Sequence, residues 1–288
     1  MKKILLSKSE TLEPCFTLIR CVSISGNASI NERNFINTTR KAKHAMSKAT
    51  VLNNVDHKSL KVDTRPESSH NKHVNRSLVY ATEISELHKE FPLVFYKDLD
   101  TEQLQLHAIL GLEKDENLFI GDSGWSTRFV PALLARGPFS LGYKKAQDEG
   151  EAPTAPLICI DMQDPRVNSK QGEDIFLQFG GEAPYLEYVK KALQTIDSGI
   201  QFDKTLFTLV ESMDLLEPVS IQITLSNVEE INFSDYYTIN QQKLATLDGE
   251  SLSTLNQYGV LSLLYFVLAS MGNFQQLIAL KNAKSAMC

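Results

Sequence analysis

Ser123 sits in Gly121-Asp122-Ser123-Gly124, the residue order found around the nucleophile of trypsin-like proteases. Such a serine attacks a carbonyl only when a histidine takes its proton and a carboxylate orients that histidine. None of the six histidines has the sequence context of that family. The disulfide-poor, helix-containing pattern described below also belongs to a different fold. Asp-Ser-Gly is a common turn sequence, and a turn is the reading adopted here. No Gly-x-Ser-x-Gly elbow occurs.

The histidines are His44, His57, His70, His73, His88 and His107, all within the first 107 residues. His70 and His73 are separated by two residues, but Lys72 lies between them in a polar loop, where histidines are solvated. His88-Lys89-Glu90 matches the His-x-Asp/Glu half of a facial iron triad. The only histidine after it is His107, on a segment read as helical. No metal and no cofactor are therefore expected. The chain contains no Gly-x-Gly-x-x-Gly, Walker loop or His-Glu-x-x-His. Gly180-Gly181 reads as a turn before Pro184 opens a helix.

The candidate ligand-binding residues are Trp125, Arg128, Arg136 and His57. Trp125 is the only tryptophan, and the two arginines flank Val130–Ala135, where they could hold a carboxylate. Two readings stay open. Trp125, Phe129, Pro131, Leu133 and Phe139 pack a corner of the core, or they line an aromatic recess for a ligand or peptide. An enzyme of unknown class, with a site around His57, Glu83 or the Asp122–Trp125 turn, is the alternative.

These residues need elements to hold them. Phe91–Tyr96 reads as a strand from its β-branched and aromatic content. Thr101–Gly111 places Leu104, Ala108 and Leu112 at helical spacing and predicts a helix stopped by Gly111. Asn117–Ile120, Pro138–Tyr143, Pro156–Met162 and Asp174–Phe179 read as strands, and residues 62–78 and 147–156 as loops. Pro184–Ile196 and Phe202–Leu216 each carry a helical apolar stripe. Val219–Leu225 alternates as a half-buried strand should and turns into Val228–Phe233. Helices follow at Gln241–Leu247, Leu252–Tyr258 and from Gly259 onward. The apolar run in that last helix spans about twelve residues, short of the ~20 a membrane crossing needs, and reads as a buried core helix.

Of the 288 residues, 42% are hydrophobic and the net charge is −6. Residues 1–46 carry eight Lys or Arg against three acids, a net +5, which leaves −11 for the rest. An acidic body repels phosphate backbones, so nucleic acid is not an expected partner. Four scattered cysteines without a Cys-x-x-Cys pair suit a reducing compartment and exclude a zinc ribbon. The opening Met1–Leu6 imitates an export signal, but Lys8, Glu10 and Glu13 interrupt it before the usual ~7–15 apolar residues. A cytoplasmic location is expected. Residues 1–45 read as a disordered or extraneous extension, Met46 as the natural start, 46–79 as an arm or loop, and 80–288 as the globular domain.

Asn53–Val62, Glu90–Phe95, Leu110-Gly111, Asn117–Phe119, Gly124-Trp125, Val130–Ala132, Arg136–Phe139, Asp174–Phe176 and Leu244–Leu280 follow one another in order. This succession resembles the SapC-like family of bacterial proteins over about residues 50–282. One departure is Gly137, where an aromatic is expected in an Arg-Arg-Tyr-Pro-Phe-like run. The resemblance implies an association with bacterial surface-layer arrays and with uptake and modification systems, since members are encoded near TonB-dependent receptors, flavin-dependent tryptophan halogenases and cupin-like oxygenases. It supplies no catalytic residues.

The expectation is an α+β protein with a mixed, mostly antiparallel sheet, helices packed on it and a helical C-terminus. It acts as a non-enzymatic accessory or binding protein for a protein partner or small ligand. A surface-layer or secretion component, with cell-surface association, is a further alternative.

Overall fold

The computed structural model describes residues 2–6, 20–23, 49–65, 70–99, 101–142, 156–168, 170–226 and 230–287. The reading of 1–45 as an extension and of Met46 as the start falls largely outside the described residues, as does most of the 147–156 loop.

In chain order the strands are β1 (Lys2–Leu6), β2 (Arg20–Ser23), β3 (Ala49–Val51), β4 (Lys61–Val62), β5 (Arg76–Val79), β6 (Leu93–Lys97), β7 (Leu104–Ile109), β8 (Ile120–Gly121) and β9 (Gly124–Trp125). They continue with β10 (Phe139–Gly142), β11 (Leu157–Asp161), β12 (Val167–Asn168), β13 (Glu173–Asp174), β14 (Leu216–Thr224) and β15 (Glu230–Ile239). The helices are α1 (Ile84–Leu87), α2 (Ala132–Ala135), α3 (Pro184–Ser212), α4 (Gln241–Ala245), α5 (Gly249–Gln257), α6 (Val260–Ser270) and α7 (Phe274–Met287).

The main sheet runs β2-β1-β14-β15-β6-β7-β5. Its neighbours are antiparallel except β1 beside β14. The α+β class and the helical C-terminus are as the sequence implies. In β14, Val219, Ile221 and Ile223 are buried while Ser220 and Gln222 are half-buried, so one face meets the core. The register against β15 slips between Val219 and Ile221. Asp235 takes a φ of 70° there, the local kink a bulge produces.

Four sequence readings change. Thr101–Gly111 is not a helix, because Leu104, Leu106 and Ala108 also alternate at a period of two and all three are buried in β7. The hairpin from β6 to β7 turns through residues 98–103, with Glu102 in the left-handed region at φ 56° and its N–H donating to the Asp98 carbonyl. The two predicted helices over 184–216 form one helix, α3, followed by strand β14. The helix runs on through Gly199, where a Cβ would lie 2.4 Å from Cβ of Tyr80. The glycine marks a close approach, not a stop. The strands at Asn117–Ile120 and Asp174–Phe179 shrink to β8, β13 and a bridge between Phe176 and Glu182. Finally, the 62–78 loop contains most of β5, which pairs with β7 inside the main sheet.

Two cores meet along α3. Its C-terminal half sends Leu206 and Val210 into the main core with Phe91, Phe95, Phe119 and Leu264. Its N-terminal half sends Leu186, Val189 and Leu193 into a smaller core with Val62, Phe139, Ile160 and Ile175. That smaller core is roofed by the sheets β10-β11-β3 and β12-β4-β13.

Val260–Ala286 is, by length and composition, the one stretch among the described residues able to cross a membrane. It is interrupted by a 3-10 turn at Met271–Asn273. Its inner face, including Val260, Leu264, Val267, Phe274 and Leu277, is buried in the main core. Polar groups fix it there. Ser270 Oγ accepts the Leu93 N–H at 2.9 Å. Asn273 Nδ2 donates to the carbonyls of His88 and Phe91. Lys281 is within 2.9 Å of both Glu113 and Glu116.

Candidate functional site

The Gly-Asp-Ser-Gly segment is a hairpin loop. Ile120 faces Trp125 and Gly121 faces Gly124 across β8 and β9, leaving Asp122 and Ser123 as the exposed two-residue loop. Gly124 has a φ of 104°, a conformation open mainly to glycine. The hairpin is anchored by Ser126, whose N–H and hydroxyl both donate to the Phe119 carbonyl, at 2.8 and 3.1 Å. Its effect is to hold Trp125 against the edge of the main core.

The next segment carries Arg136. Pro131 precedes α2, and the Ala132 N–H donates to Oε1 of Glu83 at 2.6 Å. Glu83 is buried and its second oxygen accepts the Tyr80 N–H at 3.0 Å. Burial is the main cause that pushes the Glu83 carboxyl up, against the two backbone N–H groups that favour its charge. Asp203 accepts the Ala81 N–H at 2.7 Å and is pushed up to about 6 by burial. These carboxylates bracket the backbone through its N–H groups.

After α2 the chain turns at Gly137, φ 57°, where an added Cβ would meet the Tyr185 hydroxyl at 3.0 Å. An aromatic side chain there would be strained as well as crowded. Arg136 Nη1 donates to the Phe139 carbonyl across this turn.

The turn opens on a cavity of about 140 Å³. Trp125 comes from the hairpin, Leu134, Ala135 and Gly137 from the α2 segment, and Tyr185 and Tyr188 from α3. Val62, Asp63 and Thr64 come from β4 and the residues after it, Asn71 from a 3-10 turn at His70–His73, and Arg166 from the loop before β12. A second recess of similar size is walled by Leu141, Ile158, Lys190, Leu193 and Asp197. It borders Pro156, the first described residue after 143–155, and among the described residues no aromatic side chain lines it.

The charges at the first cavity are partly spoken for. Arg166 pairs with Asp164 through two hydrogen bonds, of 2.9 Å at Nε and 2.7 Å at Nη2, and this holds its guanidinium above its ordinary value. Asp63 is buried and takes Arg65 through Nε and Nη2. Tyr185 is pushed up to about 12, chiefly by burial, while nearby Arg166 pulls the other way. Its ring meets Phe139 edge-on at 6.2 Å. Arg136 is pushed down by burial first, with the positive charge of Arg166 acting in the same direction and Tyr80 and Asp164 opposing it.

Of the four predicted residues, only Trp125 lines this cavity; Arg136 does not, although its neighbours Ala135 and Gly137 do. Arg128 points elsewhere. Its side chain is 76% exposed, pairs with Glu90 at 3.2 Å and lies over the Phe129 ring. His57 is buried in a tight turn, where Nδ1 accepts the Asn53 N–H at 3.1 Å. It does not line the cavity. The other interior histidines are engaged too. His88 stacks on Phe266 and its Nδ1 meets the Ile84 carbonyl. His107 Nε2 meets Gln105. Among the described residues no group of three His, Cys, Asp or Glu side chains could hold a metal.

Sequence reasoning missed Asp63, Arg166, Tyr185 and Tyr188. The tyrosines stand three apart on an amphipathic helix, and that spacing on the helix's less apolar side was a usable signal. Arg166 lies in a polar loop whose pairing with β4 is visible only in three dimensions.

Comparison with curated proteins and with solved structures finds no match. A protein-family model, SapC, matches residues 52–277. That span holds the whole cavity, from Val62 to Tyr188, and most of the chain. The chain belongs to the SapC family.

Proposed function

We propose that this protein is a non-enzymatic binding protein that holds a small ligand, or the end of a partner's chain, in the Trp125 cavity. In that role it is an accessory to a bacterial surface, uptake or modification system. One observation carries the reading. Distant segments of the chain deliver aromatic walls (Trp125, Tyr185, Tyr188) and charged groups (Asp63, Arg166) to the same recess. Binding sites combine a largely apolar wall with a few placed polar groups, and this cavity does so.

The test is co-purification from the native host. Wild-type protein and an Ala135→Phe variant, which fills the cavity, are isolated and their bound molecules identified by mass spectrometry. A compound or protein retained by the wild type and lost from the variant is the expected result. Identical sets of bound molecules would contradict the reading.

A further inference from the structure

Resting on the cavity reading above, we infer that the ligand is an uncharged sugar, one ring whose C–H face packs on Trp125 and whose hydroxyls bond to Tyr185, Thr64 and Arg166. The charges at the recess argue against an ionic ligand. Asp63 and Arg166 are the charged residues that line it among the described residues. Arg166 is matched by Asp164 at 2.7 Å, and Asp63 by Arg65 at 2.6 Å. An ion entering here gives up its hydration and meets no unmatched opposite charge, which is costly.

What the lining leaves open is polar and mostly neutral. Among the described residues, the hydroxyls of Thr64, Tyr185 and Tyr188 and the Trp125 indole N–H have no hydrogen-bond partner. Arg166 holds Asp164 through Nε and Nη2, and its Nη1 has no partner among the described residues. The Tyr185 hydroxyl lies at the Gly137 turn, on the cavity's wall. Burial pushes it up to about 12, so it keeps its proton at neutral pH. A hydroxyl rotates and both donates and accepts. It pairs best with ligand groups that do the same, and a sugar ring carries several. A nucleobase or amide edge needs a fixed acceptor for its N–H groups, but the Asp63 carboxylate is already taken by Arg65. The aromatic walls complete the match, because an apolar ring face with a polar edge suits Trp and Tyr, which are built the same way. The cavity, at about 140 Å³, is smaller than the ~300 Å³ at which drug-sized sites begin, and so takes one ring. Thr64 and Tyr188 are exposed lining residues, so a chain attached to that ring leads out past them. A free monosaccharide and the terminal unit of a glycan share this chemistry.

The test is saturation-transfer NMR on the wild-type protein, with Trp125 emission as a second readout. The probes are glucose, galactose, mannose, rhamnose and N-acetylglucosamine, the trisaccharides maltotriose and chitotriose, and the charged sugars glucuronate and glucosamine. At least one neutral sugar is expected to bind. Tyr185→Phe is expected to weaken it about 3- to 10-fold, the worth of one hydrogen bond. The unfolding midpoint of that variant is expected to stay unchanged, since no protein group among the described residues holds the hydroxyl. A trisaccharide that outbinds its own monosaccharide identifies a glycan end as the source, and otherwise the source is a free sugar. Glucuronate or glucosamine binding more tightly than every neutral sugar overturns the inference, as does unchanged sugar affinity in Tyr185→Phe. Indole and phenol serve as neutral controls poor in hydroxyls. If they bind the wild type but not Ala135→Phe, and no sugar binds, the inference falls and the cavity reading stands. Silence from every probe also overturns the inference, while co-purification with Ala135→Phe decides the cavity reading separately.

Discussion

The Ala132 N–H and the Glu83 carboxylate are joined by a 2.6 Å hydrogen bond across 49 residues of chain. Because Glu83 also accepts from Tyr80, one buried side chain ties the segment that forms the cavity wall to the end of β5. Glu83→Gln turns one of those acceptor oxygens into a donor that faces an N–H. Leaving a buried donor unsatisfied costs about 1–3 kcal/mol. Denaturant unfolding is expected to show a loss of that size. An unchanged midpoint would mean the bracket does not hold the wall.

Gly199 is the second anchor of the same region. Replacing it with Ala gains roughly 1 kcal/mol of helix propensity, which by itself predicts stabilisation. The 2.4 Å approach to Tyr80 Cβ predicts the opposite, because overpacking beside a backbone-proximal atom costs about 1–3 kcal/mol. Gly199→Ala is therefore expected to lower the melting temperature, and a higher one would show that Tyr80 can move away freely.

Asp203 makes a prediction with a definite sign. Its carboxyl is raised from 3.8 to about 6 in the folded protein. The folded state then binds the proton more tightly, and this contribution to stability is present below pH 3.8 and lost as pH rises through 6. Asp203→Asn keeps an acceptor for the Ala81 N–H and removes the charge. At pH 7 it is expected to be more stable than the wild type by on the order of 1 kcal/mol, after allowance for the group's partial exposure. At pH 4 the difference is expected to shrink.

His107 acts in the other direction. Burial, with the nearby Arg76 charge, lowers it from 6.5 to about 3. Its Nδ1 has no hydrogen-bond partner among the described residues. The unfolded chain takes up a proton below pH 6.5 that the folded one refuses until about pH 3, so stability falls with pH across that window. The loss attributable to this group reaches roughly 3 kcal/mol at pH 4. His107→Leu is expected to flatten that part of the acid-unfolding curve. A variant curve parallel to wild type from pH 6.5 to 4 would contradict it.

Much of this fold was legible in the sequence because local patterns agreed with the final packing. The alternating residues Val219 to Thr224 lie in β14, and Leu186, Val189 and Leu193 of the Pro184–Ile196 stripe face the smaller core. The Leu104–Ile109 segment misled because its apolar residues satisfy two periods at once, and pairing with β5 and β6 decided between them. The stripes over Pro184–Ile196 and Phe202–Leu216 left residues 197–201 unassigned, whereas one helix runs through them and Gly199 there allows a close approach to Tyr80. The cavity was half legible. Trp125 stood out by type and position, while Asp63 and Arg166 reach it through sheet pairings far apart in sequence. Arg128 carries the same chemistry as Arg136 in the sequence, but Glu90 holds it on the outer surface.

Trp125 offers the most direct measurement. It is the only tryptophan and lines the cavity, so collisional quenching of its emission reads access to the recess without any knowledge of the ligand. An open recess beside Trp125 predicts that neutral acrylamide quenches the wild type more strongly than Ala135→Phe, whose added ring fills the space. Equal quenching of the two proteins would contradict a binding recess at this position.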